Sequence, residues 1–364
     1  MNKVWFLIVL ALITASFAQN ANDSLLPKGQ MEGVKAMKFK SAINDQEYAV
    51  LVKLPESYDD TIKRTYPTMY MTDAQWTFPA LMDTRNALLY DNLIPELIFV
   101  GIAFTDNYFT NRNRDFTPTH TEFDSVSGGA AKFLEVIEKE IIPQIDSAYR
   151  TDKKNNGLVG GSSGGLFVLY TLFQQPSPFN RFIANTPSLW YDDQLVSKME
   201  QKFSEKNNEL NAKLFLSSGG YEEEMGPPIF KDFCTQLKSR NYKGLEMESL
   251  VVDKTGHLSV AAYANIRGLP FIFGKPDIAV DPLVLDNYTG HYDQGINITR
   301  KGNSLYNEMG GKNIKMNAET NESFYITGAN GLLQFIKDDK GKVTGFNVKT
   351  ADGNFYAKKL NNKS

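Results

Sequence analysis

The sequence predicts an α/β fold, a mostly parallel sheet with helices on both faces, followed by a small all-β domain at the C-terminus. Apolar segments of strand length alternate with segments of helical spacing as far as Gly274. Residues 97–104 are apolar at almost every position, as in a strand buried on both faces of a parallel sheet. After Pro276, short alternating segments separated by turn residues recur about every ten residues, which indicates an antiparallel barrel or sandwich.

The chain divides into four predicted segments. Residues 1–18 have a basic start, an apolar core and small residues before Gln19, which predicts a secretory signal peptide cut after Ala18. Its apolar run is shorter than the ~20 residues of a membrane-spanning helix. Residues 19–33 are polar and predicted to be flexible, 34–275 form the α/β domain and 281–364 the β-domain. We therefore expect an exported bacterial protein, periplasmic or secreted, without a membrane span.

Composition narrows the range of partners. Of 364 residues, 39 are basic and 42 acidic, and the net charge of −3 gives no reason to expect a nucleic-acid partner. Cys234 is the single cysteine, which excludes an intramolecular disulfide and a cysteine metal site. We expect no metal and no cofactor, and these features leave the oligomeric state open.

Residues 158–170 join a short apolar strand, a glycine-rich turn and an apolar helix. Gly160, Ser162 and Gly164 occupy the fixed positions of GxSxG, the motif of a nucleophile elbow. The motif needs glycine because the serine backbone is strained and side chains two residues away would collide with the neighbouring strand or helix. A tight structural turn and a phosphate-binding loop are the alternatives, although no Walker lysine follows.

A serine hydroxyl needs a histidine to take its proton, and the histidine needs a carboxylate. In this type of fold the partners follow in the order serine, acid, histidine, each after a strand. His120 precedes the serine in a long polar segment, and His291 lies beyond the α/β region. His257 follows the last predicted sheet strand and is our predicted base.

The acid is expected after the strand that precedes the histidine's strand. Glu222, Glu223 and Glu224 follow it directly, and Glu222 is preferred because it is nearest the strand end. Asp192 and Asp193 are the reserves, with capping of the following helix as their structural alternative.

A tetrahedral oxyanion needs two backbone N–H donors. Ser163, predicted to be the first residue of the elbow helix, supplies one of them. The other is expected among Ala74, Gln75 and Trp76, in the turn after the strand that ends near Met71.

Several short blocks, taken in order, resemble the putative esterase family of α/β-hydrolases, over about residues 30–274. They are Tyr-x-x-Asp-x-Gln at 70–75, Arg-x-Arg-Asp-Phe-Thr-Pro at 112–118, Gly-x-Ser-x-Gly-Gly-Leu-Phe at 160–167, Pro-Ser-Leu-Trp at 187–190 and Gly-His-Leu-Ser-Val at 256–260. The family includes siderophore esterases, esterase D, feruloyl and acetylxylan esterases and mycolyltransferase antigens. The resemblance implies the α/β-hydrolase fold, Ser162 as nucleophile, His257 as base, an acid near Glu222, and the N–H groups of Gln75 and Ser163 as oxyanion hole. One departure is Asp73-Ala74, where the family usually has Asp-Gly.

Four further side chains are candidates for substrate binding. Arg112 and Arg114 are bidentate donors for an acidic or phenolic group, or else partners in an ion pair with the neighbouring Asp115. Trp76 and Trp190 follow strand ends and offer stacking faces to an aromatic or sugar substrate, with core packing as the alternative. The motifs at 288–292 and 338–346 resemble small β-domains appended to some bacterial serine hydrolases and β-lactamase-like proteins.

The predicted function is that of an exported carboxylic-ester hydrolase that forms an acyl-enzyme on Ser162. Its partner is a small-molecule ester, with siderophore and carbohydrate esters as the classes suggested by the resemblance. An acyltransferase with the same chemistry and a binding protein with a decayed hydrolase fold are the alternative interpretations.

Overall fold

We describe a computed structural model over residues 31–58, 63–122, 124–226, 228–350 and 353–360. The predicted signal peptide at 1–18 and most of the predicted flexible segment at 19–33 lie outside these ranges. The described residues from 35 onward belong to one compact unit that includes both predicted folded segments, and the boundary predicted between 275 and 281 stays a prediction. No helix among the described residues has both the length and the apolar character needed to cross a bilayer.

The first sheet confirms the predicted α/β fold class. Its eight strands lie in the order β1-β2-β4-β3-β5-β6-β7-β8, with parallel pairing from β4 through to β8 and antiparallel pairing of β2 with β4. Strand β4 is buried along its whole length, as its continuous apolar sequence predicts. The strands are β1 Val34–Lys40, β2 Glu47–Lys53, β3 Tyr66–Met71, β4 Ile98–Phe104, β5 Thr151–Gly161, β6 Arg181–Asn185, β7 Glu209–Gly219 and β8 Lys243–Val252.

Helices connect these strands, and a last short helix precedes the second sheet. They are α1 Ala74–Tyr90, α2 Tyr108–Phe116, α3 Ala130–Val136, α4 Ile142–Ala148, α5 Ser163–Leu172, α6 Tyr191–Ser204, α7 Gly220–Met225, α8 Ile229–Ser239, α9 Val260–Phe273 and α10 Pro282–Asp286. Two short helices were not predicted: α2 lies in the long polar segment that precedes the serine, and α7 contains the three adjacent glutamates.

The C-terminal segment forms a second, separate sheet in which all strands pair antiparallel in sequential order, as predicted. A bridge between Tyr292 and Lys359 joins the two ends of this sheet. Aromatic rings fill its core, where Tyr288 stacks on Phe335 with 4.0 Å between ring centroids. The strands are β9 Gly290–His291, β10 Asn297–Lys301, β11 Ser304–Met309, β12 Lys312–Ala318, β13 Ser323–Tyr325, β14 Leu332–Lys337, β15 Val343–Thr350 and β16 Gly353–Lys358.

The parallel strands end at one edge of the first sheet, and the predicted site residues follow those ends. Gln75 comes after β3, Ser162 after β5, Glu222 after β7 and His257 after β8. Because carboxyl ends of parallel strands meet at the same edge, ligands of open α/β sheets bind there. The topology thus gathers residues that are far apart in the sequence.

Candidate active site

The turn between β5 and α5 has the backbone of a nucleophile elbow. Ser162 has φ 57° and ψ −123°, a conformation that costs free energy for any residue with a side chain. A Cβ on Gly160 would lie 2.4 Å from the carbonyl oxygen of Gly164, and one on Gly164 would lie 2.5 Å from Thr72 Oγ1. Both glycines are therefore required by close packing, which is the reason expected from the motif.

Backbone hydrogen bonds fix Ser162 on both sides of its side chain. Its N–H donates to the carbonyl oxygen of Asn185 at 3.0 Å, and its own carbonyl accepts from the N–H of Ser188 at 3.1 Å. Both partners belong to β6 or to the segment that follows it. The strained turn is thus held by the neighbouring strand of the sheet.

Glu222 and His257 are in contact. Glu222 Oε1 lies 2.6 Å from His257 Nδ1, and the other carboxylate oxygen accepts from the N–H of Gly219 at 3.3 Å. A carboxylate on Nδ1 fixes the ring orientation and leaves Nε2 as the nitrogen that takes a proton from a substrate or a serine. The structure therefore brings together the acid and the base preferred from the sequence.

The loop that carries His257 is connected to the same strand end as the elbow. Thr186 Oγ1 donates to the backbone carbonyl of His257 at 3.3 Å, and the preceding Asn185 accepts from Ser162. Between Ser162 Oγ and the His257 ring, both in the described part of the chain, no hydrogen bond is formed. Such catalytic hydrogen bonds often shorten only when substrate is bound.

The other glutamates of helix α7 point elsewhere. Glu223 accepts from Ser218 Oγ at 3.0 Å and lies 3.7 Å from Lys231 Nζ, with its side chain only 8% exposed. Glu224 is exposed to solvent. Successive residues of a helix point in different directions, so only one of the three can face the histidine.

The reserve acids after β6 also have other partners. Asp192 accepts from Thr119 Oγ1 at 2.6 Å, and Asp193 pairs with Lys198. Both aspartates have positive φ, and helix α6 has no side-chain cap hydrogen bond. The structural alternative, that they cap this helix, is therefore wrong.

The two predicted oxyanion donors lie at helix starts. Ser163 is the first residue of α5 and Gln75 the second residue of α1, positions whose N–H groups have no partner within a helix. The N–H of Thr72 donates to Val159 in β5 at 3.0 Å and so ties the turn after β3 to the elbow strand. The partial positive charge of a helix start favours an anion beside it.

The Arg112 side chain forms an ion pair and a backbone hydrogen bond within the protein. Its Nε lies 3.1 Å from Oδ1 and 3.0 Å from Oδ2 of Asp73, and its Nη2 donates to the carbonyl oxygen of Gly161 at 3.1 Å. Tyr108 also donates to Asp73, at 3.1 Å. Burial raises the pKa of the Asp73 carboxyl, although Arg112 and Tyr108 oppose that shift. Sequence analysis did not identify Asp73 as Arg112's partner, although it lies in one of the recognised blocks.

Arg114 forms the ion pair that was its alternative interpretation. Its Nε and Nη2 donate to the two carboxylate oxygens of Asp115 at 2.7 and 2.8 Å. Asp115 is 1% exposed and also accepts from Tyr48 at 2.8 Å. The predicted substrate contact of Arg114 is thus replaced by a structural ion pair.

Large apolar side chains are exposed around these strand ends. Trp76 is 69% exposed and Trp190 67% exposed, so core packing, their alternative interpretation, is wrong. Other exposed apolar residues lie on the same connections, beside the predicted site residues, and we call the whole set the apolar rim. It consists of Trp76, Phe109, Trp190, Tyr221, Met225 and Leu258. His120 is exposed on the segment after α2, and His291 lies in the second sheet.

A parallel sheet of this topology with a strained serine between a strand and a helix defines the α/β-hydrolase class. The family model described as "Putative esterase" matches residues 41–257. The chain belongs to this family, and it is a carboxylic-ester hydrolase.

Curated relatives and solved structures agree with this assignment. The ferri-bacillibactin esterase BesA of Bacillus subtilis is 27% identical, over 66% of this chain and 89% of its own length. The siderophore triacetylfusarinine C esterase of Aspergillus fumigatus is 25% identical, over 51% of this chain and 67% of its own. An IroE-like serine hydrolase from Shewanella oneidensis superposes with a TM-score of 0.60 and 26% identity, over 68% of this chain and 82% of that one.

Proposed function

We propose that this protein hydrolyses siderophore esters through an acyl-enzyme on Ser162. His257 is the general base and Glu222 the carboxylate that orients it, with the N–H groups of Gln75 and Ser163 as oxyanion hole. The observation that carries this proposal is the 2.6 Å contact between Glu222 and His257 beside a strained serine turn.

The reaction follows from this arrangement in two steps. His257 Nε2 takes the hydroxyl proton as Ser162 Oγ attacks the ester carbonyl, and the resulting oxyanion is stabilised by the two backbone N–H groups. The tetrahedral intermediate collapses, the alcohol leaves with the proton from His257, and the acyl group stays on Ser162. Water then repeats the attack with the same base, which releases the acid and restores the serine.

Two observations support a siderophore ester as substrate. Several relatives are named as siderophore esterases, among them the two described above and an apo-salmochelin esterase of Escherichia coli. The apolar rim includes two exposed aromatic side chains, Trp76 and Trp190, which follow β3 and β6, the two strands that flank the strand of the serine. Such side chains suit a bulky substrate with aromatic or extended apolar parts.

We further propose that the protein is exported to the periplasm or the medium. The basic start, short apolar core and small residues before Gln19 support this proposal. N-terminal sequencing of the protein secreted by a bacterial host tests it, with a mature chain beginning at Gln19 as the expected result. A retained Met1 in the exported fraction would contradict it.

The experiment that tests the activity combines active-site labelling with a substrate panel. A fluorophosphonate probe should label the wild type and leave Ser162→Ala unlabelled, as read by intact-protein mass spectrometry. We expect faster turnover of catecholate and hydroxamate siderophore esters than of feruloyl or acetyl sugar esters. Absent labelling in folded protein would contradict the proposed acyl-enzyme. Labelling together with turnover of sugar esters alone would contradict only the proposed substrate class.

The base is tested separately with the histidines that the structure places elsewhere. His257→Ala should lower kcat on p-nitrophenyl acetate by about 10³-fold or more, because the serine loses its proton acceptor. His120→Ala and His291→Ala should each retain turnover close to that of the wild type. Equal losses in all three variants would show that the base is wrongly assigned.

A further inference from the structure

We infer that Arg112 is a positioning residue for catalysis. It locks residues 72–75, which we call the oxyanion turn, onto the nucleophile elbow, and it neutralises the carboxylate of Asp73 beside the oxyanion hole. This inference rests on the proposed function, because it assigns Arg112 a part in the same site.

One side chain holds both backbone segments that carry the expected oxyanion donors. The Arg112 guanidinium binds Asp73, two residues before Gln75, and it also binds the carbonyl of Gly161, two residues before Ser163. The guanidinium is planar and rigid, so contacts made from Nε and Nη2 fix its two partners relative to each other. A shift of either segment would break one of these contacts. Arg112 thus sets the spacing between the two donors.

The contacts of Arg112 leave it little freedom to reach a substrate. Its side chain is 14% exposed and that of Asp73 is 8% exposed. The guanidinium carbon also lies 5.5 Å from the centroid of the Phe116 ring, over its face. Removing one partner of such a shielded pair leaves an uncompensated charge, which is costly. Substrate binding by Arg112, the first interpretation from the sequence, would require this pair to break.

The position of the Asp73 carboxylate explains why its charge must be neutralised. A Cβ on Gly164 would lie 3.3 Å from Asp73 Oδ2, so the carboxylate packs against the first turn of helix α5. The N–H groups of that turn are the ones expected to stabilise the negative oxyanion. A bare carboxylate there would repel the oxyanion. Arg112 cancels the charge and leaves the donors to the transition state.

Steady-state kinetics on an aryl ester separate this role from substrate binding. We expect Arg112→Gln to lower kcat by about 10- to 100-fold, since the donors lose their spacing and face an unpaired carboxylate, with KM within about threefold of the wild type. Arg112→Lys keeps the charge without the planar fork and should lose less. Tyr108→Phe, the matched change, removes one hydrogen bond from Asp73 but no charge and should cost about threefold at most.

The double variant Asp73→Asn with Arg112→Gln is the decisive comparison. Because it restores a neutral, hydrogen-bonding pair, its kcat should lie within about tenfold of the wild type and above that of Arg112→Gln. A double variant as impaired as Arg112→Gln would overturn the inference. A raised KM with an unchanged kcat in Arg112→Gln would also overturn it and assign Arg112 to the substrate. If Arg112→Gln does not fold, the inference is tested with the double variant and Arg112→Lys, using the same limits on kcat and KM.

Hydrogen exchange provides a readout that does not depend on turnover. Mass spectrometry of peptides that cover the oxyanion turn should show faster exchange in Arg112→Gln than in the wild type, while peptides from β15 stay unchanged. Unchanged exchange at the turn would refute the lock even in an active enzyme. If the wild type neither labels with fluorophosphonate nor turns over esters, the proposed function fails, whereas the exchange result still reports on the lock.

Discussion

Glu222 is fixed by two donors on either side of its carboxylate. One oxygen contacts His257 Nδ1 and the other accepts from the backbone of Gly219. Glu222→Gln keeps the shape but removes the negative charge that stabilises a protonated His257. We expect kcat on an aryl ester to fall by about 10²- to 10⁴-fold with little change in KM. Stopped-flow or steady-state assays at saturating substrate measure this loss.

The neighbouring acids supply matched controls for that variant. Glu223→Gln removes the charge of a carboxylate that accepts from Ser218, and Asp192→Asn that of one that accepts from Thr119; neither carboxylate contacts the histidine. Both variants should keep more than about a third of the wild-type kcat. A loss at either residue as large as that expected at Glu222, with Glu222→Gln unaffected, would assign the acid to that residue.

Asp73 should give the stability of the protein a pH dependence whose sign follows from the raised pKa of its carboxyl. Burial holds the folded-state pKa of its carboxyl above the ordinary value, so the folded state binds this proton more tightly than the unfolded chain does. Its contribution to stability is complete below the ordinary pKa of about 4 and is lost as pH rises through the raised value. Asp73→Asn removes this group. The unfolding free energy of the variant minus that of the wild type should therefore increase with pH over this window, as measured by urea unfolding. A flat difference would contradict the raised pKa.

The sequence alone could predict the candidate roles of some of these side chains, but not the contacts of others. Ser162 lies in a motif with fixed spacing, and His257 is the one histidine that follows a late sheet strand. The choice among the adjacent glutamates depends on the direction of each side chain from helix α7, which local sequence does not specify. The partner of Arg112 could not be predicted because Asp73 is 39 positions away, on another strand end. The catalytic roles of these residues stay predictions until they are tested.

The elbow is an element whose geometry depends on two glycines. Gly160→Ala places a Cβ 2.4 Å from the carbonyl oxygen of Gly164, and Gly164→Ala places one 2.5 Å from Thr72 Oγ1, so the backbone or the threonine side chain must move. We expect each to lower the unfolding free energy by about 1–3 kcal/mol and to reduce fluorophosphonate labelling of Ser162, because the turn can no longer hold its strained form. Urea unfolding and labelling rates measure the two effects.

Gly161, the last residue of β5 and the direct neighbour of Ser162, is the matched control. A Cβ there would meet only the carbonyl oxygen of Asn185, at an ordinary distance of 3.7 Å. Gly161→Ala should change the unfolding free energy by no more than about 0.5 kcal/mol. If it destabilised the fold as much as the other two substitutions, the effect would come from glycine loss in general and not from close packing in the elbow.

The elements that could not be predicted from the sequence are short helices whose formation depends on contacts with the rest of the protein. Helix α2 has the polar sequence Tyr108–Phe116, without an apolar stripe of the usual kind. It is held by contacts outside the helix, since Arg112 binds Asp73 and the buried Asp115 accepts a hydrogen bond from Tyr48 of β2. Isolated helices this short are marginal in water, so tertiary contacts decide whether they form. The long buried strands depend on local apolar runs instead and were predicted from them.

At the scale of the whole molecule, Asn92 joins the two sheets. Its Nδ2 donates to the carbonyl oxygens of Ala329 and Gly331 at 2.6 and 3.0 Å, and its Oδ1 accepts from Lys275 Nζ at 2.8 Å. The N–H of Gly328 donates to Asp91 at 2.7 Å in the same region. Asn92 is 8% exposed, so these bonds are shielded from water. The loop before β14 is thereby fixed to the end of helix α1.

Asn92→Asp tests whether this junction contributes to the stability of the chain. The substitution keeps the size of the side chain but places a carboxylate oxygen against two carbonyl oxygens, and we expect the unfolding free energy to fall by about 1–3 kcal/mol. Asn330→Asp adds the same charge to the loop that Asn92 contacts, at a side chain that makes no hydrogen bond with the described residues, and should leave stability nearly unchanged. Helix α1, 17 residues and about 25 Å long, separates Asn92 from the oxyanion turn, so kcat of the folded variant should match the wild type. Equal destabilisation by both substitutions would show that the added charge, and not the junction, is responsible.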